Sequence, residues 1–431
     1  MARNVAAAIE HVTVCQRQSY CLRFAAPKLR ERINSMSTLL PPEHAKAIAA
    51  FDQVQRTRLV FGNGSAANAG ELIAELGLKR ILLVTDPGLI RAGHVAKLCA
   101  VLETAGLEVV LFDSVIENPT TDCVERCRRI AEESKVDSFL GLGGGSSMDT
   151  AKGANFLLTN GGRMQDYWGV GKAQKEMLPL IVIPTTAGTG SECQSFALIS
   201  DAETHQKMAC GDPKAAARIA ILDPELTLSQ PRNVTACTGI DAIAHAVETA
   251  VTNKKNELSW MFSKEAFGLL MPHFPTVLNH PDDLNARGSM LLGAAMAGCA
   301  IEASMLGAAH STANPLTAHY DIVHGQAVGM MMPHVVRFNA EDCEAREAYA
   351  ELAVIGKLIQ SRTGDEPTEH LAKRLIQLLE MADMPVMLKA SGVEESMLPT
   401  LAVEAAEQWT ANFNPRVAGQ AEMETIYRAA F

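Results

Sequence analysis

Between Thr57 and about Asp223, short apolar runs alternate with amphipathic stretches, and after about Leu226 the strand-like runs stop. The runs read as strands at 58–61, 81–85, 108–112, 138–142 and 180–184, with helical stretches such as 66–76, 95–105 and 123–134 between them. Parallel strands need a crossover, and a helix is the usual one, so this alternation predicts a parallel sheet covered on both faces. Such sheets bind ligands beyond the carboxyl ends of their strands. From Leu226 to Phe431 the chain is rich in Ala, Met, Leu and Glu, broken by Pro272, Pro275, Pro315, Pro333, Pro385 and Pro399, which predicts an all-helical region. The expected organisation is an extension over 1–50, an α/β dinucleotide-binding domain over 51–227 and an all-helical metal and catalytic domain over 228–431.

The extension is basic, with Arg3, Arg17, Arg23, Lys28, Arg30 and Arg32 against Glu10 and Glu31, and it lacks the apolar core of a secretory signal. Over all 431 residues the net charge is -11, which argues against nucleic acid and anionic membranes as partners. No run of 18 apolar residues is present. The ten cysteines form no C-x-x-C pair, so free thiols in a reducing cytoplasm are expected.

The segment Gly141-Leu142-Gly143-Gly144-Gly145-Ser146-Ser147-Met148-Asp149 ends a strand and opens a helix. Glycines let backbone N–H groups approach a pyrophosphate, and the helix N-terminus adds positive potential. The spacing is not the usual dinucleotide fingerprint, and a tight turn with Ser146 and Asp149 as a capping pair is the plainer alternative. Asp86 ends the second strand and can accept from a ribose hydroxyl, or simply serve the turn at Pro87-Gly88. Asn118 follows the third strand, where a turn initiator is the alternative. Thr185, Thr186 and Thr189 lie in a hydroxyl-rich loop after the fifth. Asp166 sits at the distance of a ribose acid but does not end a strand.

Asp241 and His245, four apart on one helix, can converge on a cation or pair with each other. His310 and His324, 14 apart, fall on separate elements if Pro315 breaks the helix between them. One Asp and three His suit Fe(II), Zn(II) or Mn(II). His319 and His334 are weaker candidates, and His11, His44, His94, His205, His273, His280 and His370 show no partner pattern.

Taken together, Gly-Gly-Gly-Ser-x-x-Asp at 143–149, Pro-Thr-Thr-Ala-Gly-Thr-Gly-Ser-Glu at 184–192, Gly-x-Asp-Ala-x-x-His-Ala-x-Glu at 239–248, the His310/His324 spacing and Pro333-His334 resemble the iron-containing alcohol dehydrogenases. The resemblance covers roughly 51–431 and implies a dehydroquinate synthase-like fold in two domains. It implies metal ligands Asp241, His245, His310 and His324, and NAD near Asp86, Asn118, Gly144, Gly145, Ser146, Asp149, Thr185, Thr186, Thr189 and Lys207. Lys207 is expected in a hairpin after Asp201. The implied reaction moves a hydride between NAD and a small alcohol or aldehyde whose oxygen binds the metal, in a cytoplasmic homo-oligomer. A polyol or hydroxy-acid dehydrogenase, a transhydrogenase and a dehydroquinate synthase-like lyase are the alternatives. One position departs from the family pattern. Asn314 stands where many members carry a proton-handling histidine, and an amide is no base near neutral pH, which leaves water, a ribose hydroxyl or His319 for the proton.

Overall fold

A computed structural model describes residues 51–204, 206–360 and 366–431, so the extension over 1–50 and His205 lie outside the described residues. The first half is built from strands β1 (Arg58–Phe61), β2 (Arg80–Val84), β3 (Glu108–Phe112), β4 (Ser138–Gly143), β5 (Gly169–Val170), β6 (Leu180–Pro184), β7 (Phe196–Ser200), β8 (Lys207–Gly211) and β9 (Ile219–Leu222). Helices α1 (Ala69–Ala74), α2 (Pro87–Arg91), α3 (His94–Thr104), α4 (Thr121–Glu133) and α5 (Gly145–Asn160) connect them. Six strands form a parallel sheet in the order β1-β9-β6-β4-β2-β3. Successive side chains of each strand enter different cores. Leu82 and Val84 of β2 and Val182 of β6 face one, while Ile81, Leu83, Ile181 and Ile183 face the other. Burial on both faces explains why these runs are continuously apolar. Leu72, Ile73, Leu98 and Leu102 of α1 and α3 cover one side. Val124, Cys127 and Met148 of α4 and α5 cover the opposite side, in a core continuous with the helical half.

Strand β9 was not among the expected strands. It inserts between β1 and β6, so that β1 becomes an edge. The hairpin expected at Lys207 is β7–β8, antiparallel with Ser200 opposite Lys207, and β5 joins it in a second, three-stranded sheet.

The second half contains α6 (Arg232–Thr249), α7 (Glu257–Asn279), α8 (Leu284–Ser304), α9 (Ala308–Tyr320), α10 (His324–Asn339), α11 (Cys343–Ile355), α12 (Pro367–Met381), α13 (Leu398–Glu407) and α14 (Gln420–Ala430). The prolines break it less than their sequence positions suggest. Pro272, Pro275, Pro315 and Pro333 lie inside helices, and Pro399 opens α13. The expected break at Pro315 is therefore corrected: α9 runs on to Tyr320. A proline removes one N–H from a helix, here the one that would bond the Ser311 carbonyl; the neighbouring Thr312 carbonyl accepts from the Tyr427 hydroxyl at 2.6 Å. The true break is at Asp321, whose φ of 52° stops the helix and lets α10 begin at His324. Among the described residues no single helix is long and apolar enough to cross a membrane.

Candidate functional site

The chain leaves β2 for β3 on one side and returns to β4 on the other, so the sheet reverses its winding between β2 and β4. Open parallel sheets bind ligands in the crevice at such a point. Val84 pairs with Gly141 and Gly143 with Pro184, which collects Asp86, the Gly143–Gly145 turn and the Thr185–Thr189 loop along one end of the sheet. Gly143 has φ 146°, and an added Cβ would meet the Ser147 side chain at 2.4 Å. Gly145 lies against Thr189, whose Cγ2 would stand 2.9 Å from a Cβ there. Thr186 packs in the same way over Gly144.

The capping alternative for Ser146 and Asp149 fails. Gly144 is the N-cap of α5 and no side chain caps it. Asp149 instead accepts from Ser191 Oγ at 2.7 Å and the Leu198 N–H at 3.2 Å, with Lys152 Nζ at 4.0 Å. The first amides of α5 are therefore not capped by a side chain. Asp86 caps α2, its Oδ1 accepting from Gly88 and Leu89 at 2.7 and 3.2 Å, so the turn role applies to that oxygen. Asn118 takes a left-handed φ of 51°, and its Oδ1 accepts from Lys207 Nζ at 3.4 Å. Burial pulls the Lys207 ammonium below its usual range, against the opposing fields of Asp149, Asp241 and Glu117.

In the helical half, three imidazoles meet one carboxylate oxygen. Asp241 Oδ1 lies 3.5 Å from His245 Nε2, 3.4 Å from His310 Nε2 and 3.8 Å from His324 Nε2. One ligand atom each from Asp241, His245 and His310 fall within 4.8 Å of one another, and all three residues are buried. The His245 and His310 rings stack with centroids 4.8 Å apart, and His324 is tilted against His310 at 5.4 Å. Asp241 and His245 come from adjacent turns of α6. His310 sits in the first turn of α9, and His324 opens α10. What admits α10 is Gly325, where a Cβ would stand 2.1 Å from the Cys237 carbonyl oxygen, one turn before Asp241.

The residues fit a divalent cation. Asp241 Oδ1 and His310 Nε2 are buried without a hydrogen-bond partner, a costly state unless an ion takes the place of one. Burial opposes ionisation of Asp241, yet the imidazoles of His245, His310 and His324 hold it well below the usual carboxylate range. Burial also opposes charge on His310, but the Glu248 and Asp241 carboxylates raise it to about 9. The field at this point favours positive charge.

Glu248 is the site residue that sequence reasoning passed over, although it stood in the quoted motif. Its carboxylate binds His310 Nδ1 and accepts the Ala309 N–H at 2.7 Å. Asp241, His245 and Glu248 at i, i+4 and i+7 share a helix face, and that spacing was the available signal.

The remaining candidates behave differently. Asn314 lies one turn beyond His310 and donates to Gln408 Oε1 at 3.0 Å. His319 is paired with Glu404 at 2.9 Å on a half-exposed surface, about 13 Å along α9 from His310. The structure therefore removes His319 from the candidate catalytic group. His334 lies within α10, partly buried, with its pKa lowered to about 4 by burial and by Arg337.

A parallel α/β domain with a glycine turn at its winding reversal, joined to a helical half with an Asp/His₃ cluster, defines a dinucleotide- and metal-dependent oxidoreductase class. Residues 56–224 match the family described as iron-containing alcohol dehydrogenase, and residues 235–431 match its C-terminal part. The chain belongs to that family. It is 33% identical to alcohol dehydrogenase 4 of Schizosaccharomyces pombe over 86% of this chain and 87% of that protein. It is 32% identical to the NAD-dependent methanol dehydrogenase of Bacillus methanolicus over 86% and 97%. The crystal structure of a 1,3-propanediol oxidoreductase superposes with a TM-score of 0.85 at 30% identity, covering 89% of this chain and 100% of the other.

Proposed function

We propose that this enzyme interconverts a small primary alcohol and its aldehyde with NAD, using Fe(II) held by Asp241, His245, His310 and His324. The observation that carries the reading is the convergence of three imidazoles on a partnerless Asp241 Oδ1, in a chain whose Gly-rich helix N-terminus is uncapped. When bound, the cation supplies Lewis acidity toward an oxygen and the dinucleotide supplies the hydride acceptor or donor.

The chain's own residues do the rest. Glu248 fixes the His310 tautomer so that Nε2 points at the cluster. The open amides of α5 hold the pyrophosphate, and Asp86 keeps its second oxygen for a ribose hydroxyl. A carboxylate at that place repels the extra phosphate of NADP, which supports NAD. Lys207 and Asn118 hold each other at the boundary between the sheet and the cluster. Asn314 carries no titratable group, so the proton is assigned to water or a ribose hydroxyl. Family membership favours the dehydrogenase over the lyase alternative. The buried thiols Cys123, Cys127, Cys193 and Cys210 suit a reducing compartment such as the cytoplasm.

The test is NAD reduction by protein purified anaerobically and loaded separately with Fe(II) or Zn(II), beside His310→Ala. NADH formation that disappears in the variant supports the reading. No NADH from any alcohol, in protein shown to hold metal and NAD, overturns it.

A further inference from the structure

Two cysteines from distant parts of the chain meet in a small cavity whose wall includes no residue of the Asp241 cluster or of the Gly-rich turn. The chain turns at Gly190, where φ is 63°, into the 3-10 turn Ser191–Cys193, and the Cys193 N–H donates to the Gly190 carbonyl at 3.0 Å. That carbonyl lies against α8. A Cβ at Gly298 would stand 2.3 Å from it, and a Cβ at Gly190 would stand 2.6 Å from the Gly298 Cα. Only glycine at each place lets the turn and the helix come so close. Cys193 ends that turn and Cys299 follows Gly298, so the crossing carries both residues to one place. Their thiols are in contact there, and both line the same cavity.

The cavity measures about 20 Å³, and Arg56, Thr57, Phe262 and Glu302 help to wall it. Such a space takes one water or a guest of similar width, and it excludes a peptide thiol or disulfide. Its wall is polar enough for that guest. Arg56 Nη1 lies 3.8 Å from Glu302 Oε1, and Glu302 is held by the Ser195 N–H at 3.0 Å and the Ser195 hydroxyl at 2.7 Å. Cys193 keeps 8% of its surface and Cys299 7%, whereas Cys123, Cys127 and Cys210 keep none. A small solute therefore reaches the first two sulfurs and not the other three. Contact with Cys299, together with burial, raises Cys193 well above the usual thiol range, so the pair rests in the thiol form.

We propose that Cys193 and Cys299 are a dithiol that a small hydroperoxide converts to a disulfide, latching the Gly190–Cys193 turn to α8. One sulfur attacks a peroxide oxygen as the O–O bond breaks, which gives a sulfenic acid and water. The second sulfur then displaces hydroxide from the first, and that hydroxide leaves as water with the second thiol's proton. Two electrons pass from the sulfur pair to the peroxide, and two thiols and one hydrogen peroxide become one disulfide and two waters. Cys193 and Cys299 are 106 residues apart, so the bond closes a long loop and restricts the unfolded chain strongly. Within the latched turn, Ser191 donates to Asp149 and accepts from Lys152, both on α5. The disulfide thus fastens α5 to α8 through that turn.

The test treats the Zn(II)-loaded enzyme with excess hydrogen peroxide and maps its cysteines by mass spectrometry without reduction. Zn(II) is used because it has no redox chemistry of its own with peroxide. Each cysteine is alone in its tryptic peptide, Cys193 in 176–207 and Cys299 in 288–337. The expected product is these two peptides joined with loss of two hydrogens, and dithiothreitol returns them to separate thiol peptides. Oxidation should raise the thermal midpoint by about 5 °C, and the rise should be absent in Cys193→Ala and in Cys299→Ala. Should either variant fail to fold, the peptide map of the parent enzyme decides alone. Free thiols in both peptides after the exposed Cys343 has oxidised overturn the proposal. So does either sulfur ending as a separate sulfinic acid, or joined to a different cysteine.

Discussion

The Glu248 carboxylate grips His310 through Nδ1 on the side opposite Asp241, so the imidazole presents Nε2 to the cluster and has no other choice of tautomer. A carboxylate behind a metal-binding histidine orients the ring and raises its basicity. Glu248→Gln keeps an acceptor but removes the charge. Metal affinity should fall by about 10- to 100-fold. Titration with Fe(II) or Zn(II), followed by calorimetry or chelator competition, measures it. Unchanged affinity would remove Glu248 from the site.

Gly325 should tolerate no side chain. A Cβ there would stand 2.1 Å from the Cys237 carbonyl, and backbone cannot rotate aside as a side chain can. Gly325→Ala is expected to push the start of α10 away from α6, destabilise the protein by about 1–3 kcal/mol and lower metal content through displacement of His324. Denaturant unfolding and metal analysis of the same preparation separate the two effects.

Gly145→Ala should act on the cofactor alone. The new methyl meets Thr189 Cγ2 at 2.9 Å, at the mouth of the α5 N-terminus. NADH binding is expected to weaken by tenfold or more while metal content stays at the parental value. Fluorescence titration of NADH provides the measurement, and equal affinity would show that the loop yields.

Stability should fall as pH rises through the range set by Glu192. Burial raises its pKa from 4.5 to about 7, against weaker lowering by a backbone hydrogen bond and Lys152, and Oε1 has no partner. A carboxyl whose folded pKa lies above its unfolded value binds more protons in the folded state, so its contribution is full below about 4.5 and is lost as pH climbs through about 7. Glu192→Gln removes that loss. It should match the parent at pH 4.5 and exceed it by roughly 2–3 kcal/mol at pH 8. Unfolding curves at the two pH values check the sign.

His319→Ala should leave turnover within about twofold and its pH profile unchanged. The residue pairs with Glu404 at 2.9 Å on the surface, and such pairs contribute about 0–1 kcal/mol. A pH–rate profile that lost a limb in this variant would restore His319 to the proton route.

Much of the fold was legible because its signals are local. Strands β1 and β3 stand where their apolar runs stand, and the helical half follows from composition and period. What misled was also local. Pro315 reads as a stop, but a proline inside a helix removes one backbone hydrogen bond and can bend the helix without ending it, and α9 runs on to Tyr320. Ser146 and Asp149 have the spacing of a cap, yet Asp149 is claimed by Ser191 and Leu198 from segments far along the chain. His319 was a candidate by type and proximity in sequence, and the helix carries it to a surface facing Glu404.

Sequence alone determined that Asp241 and His245 share a helix face, because 3.6 residues per turn is a property of the backbone. It likewise determined that glycines follow β4, where a strand feeds a helix. Only the tertiary structure decided that His310 and His324 reach the same Asp241 oxygen, and that Glu248 stands behind one of them. Those contacts depend on how closely α9 and α10 approach α6. That distance is set by pairs such as Gly325 with Cys237, which are 88 residues apart in the chain and meet only when the helices pack.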